Sequence, residues 1–247
     1  MTPRLLDTGD GAVTIEFGTV ISPELVAAVA ALDRQVGLAR ARGELAGVIE
    51  TMPTFRSLTV LYDPLLTSRA ELDPALHSLL GRRTQAQAAP SRRWRLPACY
   101  GDAFGADLDH VAAACGLPAD EVVRLHCSAE FTVYMVGFMP GLPFMGGLPA
   151  ALAMPRRKEP RVRVPKGSVA ITGALSTIYP WESPGGWQLL GRCPVPLFDV
   201  ALASPALLAP GDRVTFEAVT MARYAELEAA LRGGELRADS FMLTPPS

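Results

Sequence analysis

Histidine, arginine, tyrosine and amide side chains fall close together between positions 126 and 192 of this chain. His126 stands shortly before a Gly- and Pro-rich cluster at Tyr134–Pro149. An imidazole exchanges a proton near neutral pH, so general acid–base chemistry is open to it. Capping the carbonyls of a helix end is equally open. Arg156, Arg157, Lys158, Arg161, Arg163 and Lys166 then crowd into eleven positions. Arginine forks pair with carboxylates and phosphates, and a solvated basic loop is the plainer alternative. Ser183-Pro-Gly-Gly186 makes a tight turn whose backbone N–H groups can cradle an anion. Gln188 and Arg192 follow at even spacing, which on a regular strand places both on one face and Trp187 on the other. Both can bind polar substrate groups, and Tyr179 adds a hydroxyl. Purely structural use of Pro184, Gly185 and Gly186 is the simpler reading of the turn.

Other chemistries lack their residues. The three histidines are scattered, with no His-x-x-x-His or paired-thiol spacing, so no metal site is expected. His77 and His110 sit among polar neighbours and read as surface residues. Cys99, Cys115, Cys127 and Cys193 have no Cys-x-x-Cys spacing and read as free thiols of a reducing cytosol. Cys127 beside His126 is no catalytic pair, because adjacent residues of an extended segment point apart. Pro165-Lys-Gly-Ser168 lacks the glycine that a phosphate-binding Walker loop needs five residues before its lysine. A net charge of −2 gives no electrostatic case for nucleic acid or an anionic membrane surface.

These residues must be held by unusual backbone. Gly and Pro fill 17 of the 56 positions from Gly137 to Arg192, against 44 of 247 in the whole chain, so neither a long helix nor a plain strand fits there. Apolar and aromatic residues adjoin the turn formers, which predicts buried, shaped backbone lining a site or an interface. Phe131–Pro155 carries no charge over 25 positions, yet Pro140, Pro143, Pro149 and Gly146-Gly147 break any spanning helix. Arg4, Asp7 and Asp10 argue against a hydrophobic signal core at the start, and a cytoplasmic protein is expected.

The rest of the chain reads as two parts. Gly11–Gly18 alternates as a strand. Ser22-Pro23 opens a helix running to about Arg42, Val48–Met52 and Leu58–Tyr62 are strands, and Ser68 or Asp73-Pro74 opens a second helix. That order predicts a small α+β sandwich. Arg82–Arg93 is polar and aperiodic, a linker in character. Beyond it, strands are expected at Trp94–Tyr100, Phe131–Val136, Val169–Thr172, Trp187–Leu190 and Arg213–Ala218. Helices are expected at Asp107–Cys115, from Pro118 to about His126, and at Met221–Arg232. Short strands with Gly/Pro corners suggest a β-barrel. The fold class is α+β: residues 1–84 as the small N-terminal domain, 85–93 as linker and 94–247 as the barrel domain.

Three runs carry a resemblance. Gly137-Phe-Met-Pro-Gly-Leu-Pro-Phe-Met-Gly-Gly-Leu-Pro149, Pro155–Val169 and Tyr179-Pro-Trp-Glu-Ser-Pro-Gly-Gly-Trp-Gln-Leu-Leu-Gly-Arg192 resemble the family of the 5-oxoprolinase B subunit, the kinase inhibitor KipI and allophanate hydrolase subunit 1. Gly9-Asp-Gly-Ala12, Glu50–Thr54 and Ser57–Pro64 are similar to its N-terminal pattern. Leu142 departs from it, standing where an aromatic residue is common. The resemblance implies a cyclophilin-like barrel for the C-terminal half. A histidine at position 126 matches the family's pattern, which makes it the catalytic candidate. With Arg161, Gln188 and Arg192 it is expected to border a pocket shared with a C subunit, binding substrate carboxylate or phosphoryl oxygens, and Tyr179 is a further substrate-binding candidate. Phe138, Pro140, Gly141, Phe144, Pro184, Gly185, Gly186 and Trp187 are expected to shape the pocket.

The implied function is one component of a multi-subunit, ATP-dependent enzyme that opens 5-oxo-L-proline to L-glutamate. ATP is then a co-substrate of the assembled complex, with no metal or organic cofactor on this chain. The implied partners are the enzyme's C subunit (allophanate hydrolase subunit 2-like) and its A subunit (LamB/YcsF-like). Two alternatives stand beside it: a KipI-like inhibitor of a sensor histidine kinase, and a carboxyltransferase-type component of a urea- or allophanate-processing enzyme. No self-sufficient catalytic constellation is legible in the residues, which itself favours chemistry shared with a partner.

Overall fold

The computed structural model describes residues 3–81 and 91–243. The chain divides into two compact units, residues 1–90 and 91–247. Of the expected linker, positions 85–90 lie outside the described residues. Arg92 and Arg93 belong to the second unit: Arg92 donates to Asp212 through Nε at 3.0 Å and Nη2 at 2.6 Å, and Arg93 begins a barrel strand.

The first unit contains β1 (Arg4–Asp7), β2 (Ala12–Glu16), α1 (Pro23–Ala41), β3 (Val48–Pro53), β4 (Ser57–Tyr62) and α2 (Arg69–Gly81). Its sheet has the order β1-β2-β4-β3, antiparallel throughout. Alternation puts Val13, Ile15, Leu58 and Val60 on one buried face, against Val29, Leu32 and Val36 of α1 and Leu72 and Leu76 of α2. Ser22 caps α1 by accepting the Leu25 N–H at 3.3 Å. Ser68, not Asp73, opens α2. The Ser68 hydroxyl accepts the Glu71 N–H, and Glu71 accepts the Ser68 N–H at 2.8 Å, a reciprocal capping box. Strand β1 was not expected from sequence. Arg-Leu-Leu-Asp is too short to show alternation, and it exists by pairing with β2.

The second unit contains β5 (Arg93–Tyr100), α3 (Leu108–Cys115), α4 (Ala119–Ser128), β6 (Phe131–Val136), β7 (Pro143–Gly146) and a 3-10 turn at Ala150–Leu152. It continues with β8 (Arg161–Val164), β9 (Ser168–Thr172), β10 (Leu175–Ile178), β11 (Ser183–Gly185) and β12 (Gln188–Arg192). After these come β13 (Arg213–Ala218), α5 (Met221–Gly233), a 3-10 turn at Ala238–Phe241 and β14 (Met242–Leu243). Strands β12, β9, β10, β7, β6, β13 and β5 follow one another, and pairing of β5 with β12 closes the circuit into a seven-stranded barrel. Closure removes the unpaired edges that an open sheet would expose. Strand β14 adds to β5, and β8 and β11 form a separate ribbon. The barrel and the small α+β unit are the architecture expected from sequence. Within the uncharged stretch the chain forms strands and turns, and among the described residues no helix is long and apolar enough to cross a membrane.

Two apolar clusters lie on opposite faces of the barrel wall. Trp94, Leu96, Phe131, Val133, Met145, Ile171, Ile178 and Leu190 fill the interior. Leu142, Val164, Ala170, Tyr179, Trp187 and Leu189 pack on the outer face. One expectation fails here. Gln188 pairs with Ile171 and Leu189 with Ala170, but Gly191 pairs with Val169 and Arg192 with Ser168. The irregularity between Leu189 and Gly191 is a β-bulge, in which an extra residue reverses the alternation. Gln188 therefore shares the inner face with Ile171, and Arg192 the outer face with Ser168. The two do not lie side by side.

Candidate functional site

The three Gly/Pro-rich runs converge on one small cleft of about 110 Å3 outside the barrel wall. The first contributes Phe138, Leu142 and Phe144, the second Arg156, and the third Tyr179, Pro184, Gly185, Gly186 and Trp187. Phe144 and Trp187 make its aromatic sides, with centroids 5.9 Å apart and planes at 60°. Backbone shape sets the cleft. A side chain at Gly185 would run into the Tyr179 hydroxyl, so only glycine lets β11 pass there. Gly141 has φ +79°, and a Cβ on it would lie 2.7 Å from that of Phe198. Pro140 stands outside the cleft, where its carbonyl accepts the Trp181 indole N–H at 3.2 Å. Phe138 holds φ +68°, which a non-glycine residue rarely adopts, and the residue is 78% exposed.

Tyr179 is buried at the cleft floor. Burial raises its phenol pKa, opposed by Arg156, Arg161 and the Trp187 backbone amide. The phenol is held as a neutral hydroxyl that can donate. Arg156 has no ion-pair partner among the described residues, and sequence reading did not single it out from its basic run.

The rest of that run has separate employments. Arg161 donates from Nη2 to Asp107 Oδ1 at 2.7 Å, and Arg157 donates from Nη1 to the same oxygen at 3.0 Å. The Leu189 amide donates to Asp107 Oδ2 at 2.7 Å. Asp107 is 2% exposed. Burial opposes its charge, but Arg161, the Leu189 amide and Arg157 together hold its carboxyl below the usual range. This clamp fixes Arg161 beside Tyr179. Arg157 Nε, Arg161 Nη1 and Gln188 Oε1 are shut from solvent without partners among the described residues. Gln188 itself donates to the Pro155 carbonyl at 3.2 Å. Arg163 pairs with Glu182 at the surface, at 2.9 Å. Of the expected basic loop, only part is solvated.

Two expected residues lie elsewhere. Arg192 places its guanidinium 4.3 Å from the Phe104 ring centroid, in a different cavity. His126 is fully buried in the barrel core. Its Nδ1 meets the Tyr100 hydroxyl at 2.8 Å and its Nε2 the Ser176 hydroxyl at 3.0 Å, between the rings of Phe131 and Phe216. Burial lowers its pKa to about 3, so the ring is neutral at pH 7. The structure places it inside the barrel and not beside the cleft where the sequence had placed it. Both nitrogens are spent on core hydroxyls, and the residue lines neither the cleft nor the larger cavities. All four cysteines are free.

Asp107 was invisible to sequence reading, since an aspartate before a helix reads as an N-cap. Its side chain makes no cap bond and spends both oxygens on partners at least 50 positions away.

Comparison with known proteins agrees with this fold and these runs. The model of the carboxyltransferase domain, subdomain C and D, matches residues 3–208. The 5-oxoprolinase B subunit of Bacillus subtilis is 35% identical over 87% of this chain and 92% of its own length. The 5-oxoprolinase B subunit of Escherichia coli O157:H7 is 40% identical over 81% of this chain and 92% of its own length. The solved structure of TTHA0988 superposes with TM-score 0.74 at 36% identity, covering 84% of this chain, which spans only 40% of that longer protein. The Kluyveromyces lactis urea amidolyase structure shares the fold, with TM-score 0.74 at 21% identity over 95% of this chain and 16% of that one. The Saccharomyces cerevisiae urea amidolyase is 26% identical over 72% of this chain. The family match across both units, with relatives above 30% identity along nearly their whole length, makes this chain a member of the carboxyltransferase-domain family, subdomains C and D, alongside the 5-oxoprolinase B subunits.

Proposed function

We propose that this chain is the B subunit of an ATP-dependent 5-oxoprolinase, working with the enzyme's C and A subunits to convert 5-oxo-L-proline to L-glutamate. The observation that carries this reading is the small aromatic cleft with an unpaired arginine at its rim. A five-membered lactam carboxylate is compact, has apolar ring faces and bears one negative charge. Phe144 and Trp187 take the ring, Arg156 takes the carboxylate, and the Tyr179 hydroxyl donates to an oxygen of the substrate. A lactam amide is a poor electrophile. ATP, as co-substrate of the assembled complex, supplies phosphoryl activation of its carbonyl oxygen. This chain's residues bind and orient the ring. The absence of a nucleophile–base pair among the described residues of the cleft fits chemistry completed by partner subunits. Exposed Phe138 beside the cleft is a suitable contact for one of them.

The test is glutamate release from 5-oxo-L-proline and ATP with this chain and its two partner subunits mixed, each omitted in turn. Turnover requiring this chain is expected. Undiminished turnover without it would overturn the reading. A second reading, a carboxyltransferase-type component acting on urea-derived substrates, is favoured by the likeness to urea amidolyase over 72% of the chain. It predicts carboxyl transfer to urea with a biotin-bearing partner, and no lactam opening. No structural observation favours the kinase-inhibitor alternative over these two.

A further inference from the structure

A second cavity, of about 430 Å3, opens between the Pro165–Gly167 turn, the segment after β12 and helix α5. It shares only Tyr179 with the aromatic cleft. Its charges do not balance. Arg232 is neutralised by Glu228 at 2.9 Å. Lys166 and Arg192 also line it, and neither has a carboxylate partner among the described residues. Each lies over an aromatic ring instead: Lys166 Nζ is 5.3 Å from the Trp181 centroid, and the Arg192 guanidinium carbon 4.3 Å from that of Phe104. A cation held over a ring face uses none of its N–H donors there, which leaves them for a ligand. Arg192 Nε is buried without a hydrogen-bond partner among the described residues. A buried donor left empty is costly, which points to an occupant.

We propose that this cavity binds a phosphoryl-bearing organic anion through Arg192 and Lys166. Two uncompensated positive charges match a dianionic phosphate, whereas a carboxylate would neutralise only one. The cavity is far larger than a single phosphate, leaving room for an organic moiety against Tyr224 and Leu231 of α5. This site is distinct from the lactam cleft, since Tyr179 is the one lining residue the two share and neither Arg192 nor Lys166 lines the cleft.

The test uses the full chain without partners, titrated with inorganic pyrophosphate, ATP or adenosine. Calorimetry and tryptophan emission are the readouts. Drawing Lys166 off the Trp181 ring alters that emission, and Trp181→Phe removes the signal but not the heat. Both anions are expected to bind and adenosine alone is not. Arg192→Gln and Lys166→Gln each weaken binding about 10-fold or more, while Arg163→Gln leaves it unchanged. Tighter binding of ATP than of pyrophosphate identifies a nucleotide as the occupant. Equal binding assigns recognition to the phosphates alone. Absence of binding by either anion at millimolar concentration overturns the proposal, as does equal weakening by Arg163→Gln. Lys166 is exposed, so its variant folds even if Arg192→Gln does not. Binding of 5-oxo-L-proline, measured separately, is unaffected by either variant.

Discussion

Asp107 and Arg161 are 54 positions apart in sequence and 2.7 Å apart in the fold, and the Asp107 side chain is almost wholly buried. The contact ties the loop before α3 to β8. Through the Leu189 amide it also ties both to β12. Asp107→Asn keeps the shape and one acceptor but removes the charge that Arg157 and Arg161 share. A loss of about 1–3 kcal/mol in unfolding free energy is expected, as for a buried polar network left partly unsatisfied. Urea denaturation measures it. An unchanged midpoint would show that the clamp contributes nothing to stability.

His126 makes stability depend on pH. Its folded pKa, about 3, lies below the unfolded value of 6.5. The unfolded chain therefore takes up the proton first. The contribution of neutral His126 is complete above pH 6.5 and is lost as pH falls from there toward 3. Denaturation at pH 7.5, 6 and 5 should show a progressive loss, about 1.4 kcal/mol per pH unit at most from this one group. His126→Asn, though less stable at pH 7.5, should flatten that slope. An equal slope in the variant would assign the pH dependence to other groups.

What sequence showed and what it concealed divide by range. Helix α1 was legible because Ser22, Pro23 and the apolar spacing are all local. The Gly116 closure of α3 was legible for the same reason. The strands with clear alternation or uninterrupted β formers, β2, β4, β6 and β13, were legible too. The ribbon of β8 and β11 was not, since Arg-Val-Arg-Val and Ser-Pro-Gly become strands only by pairing with each other. The Gly/Pro-rich runs were recognised as shaped backbone, and they do build the cleft. Which cation serves it could not be read. Six basic residues looked alike, and only tertiary contacts separate Arg156 at the rim from Arg161 in the clamp and Arg163 at the surface. The Gln188–Arg192 pairing failed because a bulge leaves no mark on local hydrophobicity, although Gly191 was a hint that the strand is irregular.

Arg156 is the cation that the proposed lactam site relies upon. Arg156→Gln in the assembled enzyme should raise KM for 5-oxo-L-proline about 10- to 100-fold, the worth of a charge-assisted hydrogen bond. Because the contact is to the non-reacting carboxylate and holds equally in ground and transition states, kcat should change little. The residue is exposed, so stability should not change. A fall in kcat at constant KM would move Arg156 from substrate binding to the chemical step.

Phe138 presents an apolar ring to solvent from a left-handed backbone, two features that folding of the isolated chain does not favour. Strain kept at such a position is compensated by surrounding structure and is commonly tied to function. Phe138→Gly relieves the backbone, partly offset by glycine's greater freedom in the unfolded chain, and should stabilise the isolated chain by up to about 1 kcal/mol. If the ring contacts a partner subunit, the same change should weaken co-purification of the complex. Phe138→Ala separates the two effects, since it keeps the strain and removes the ring. Greater stability with undiminished assembly would leave Phe138 without an interface role.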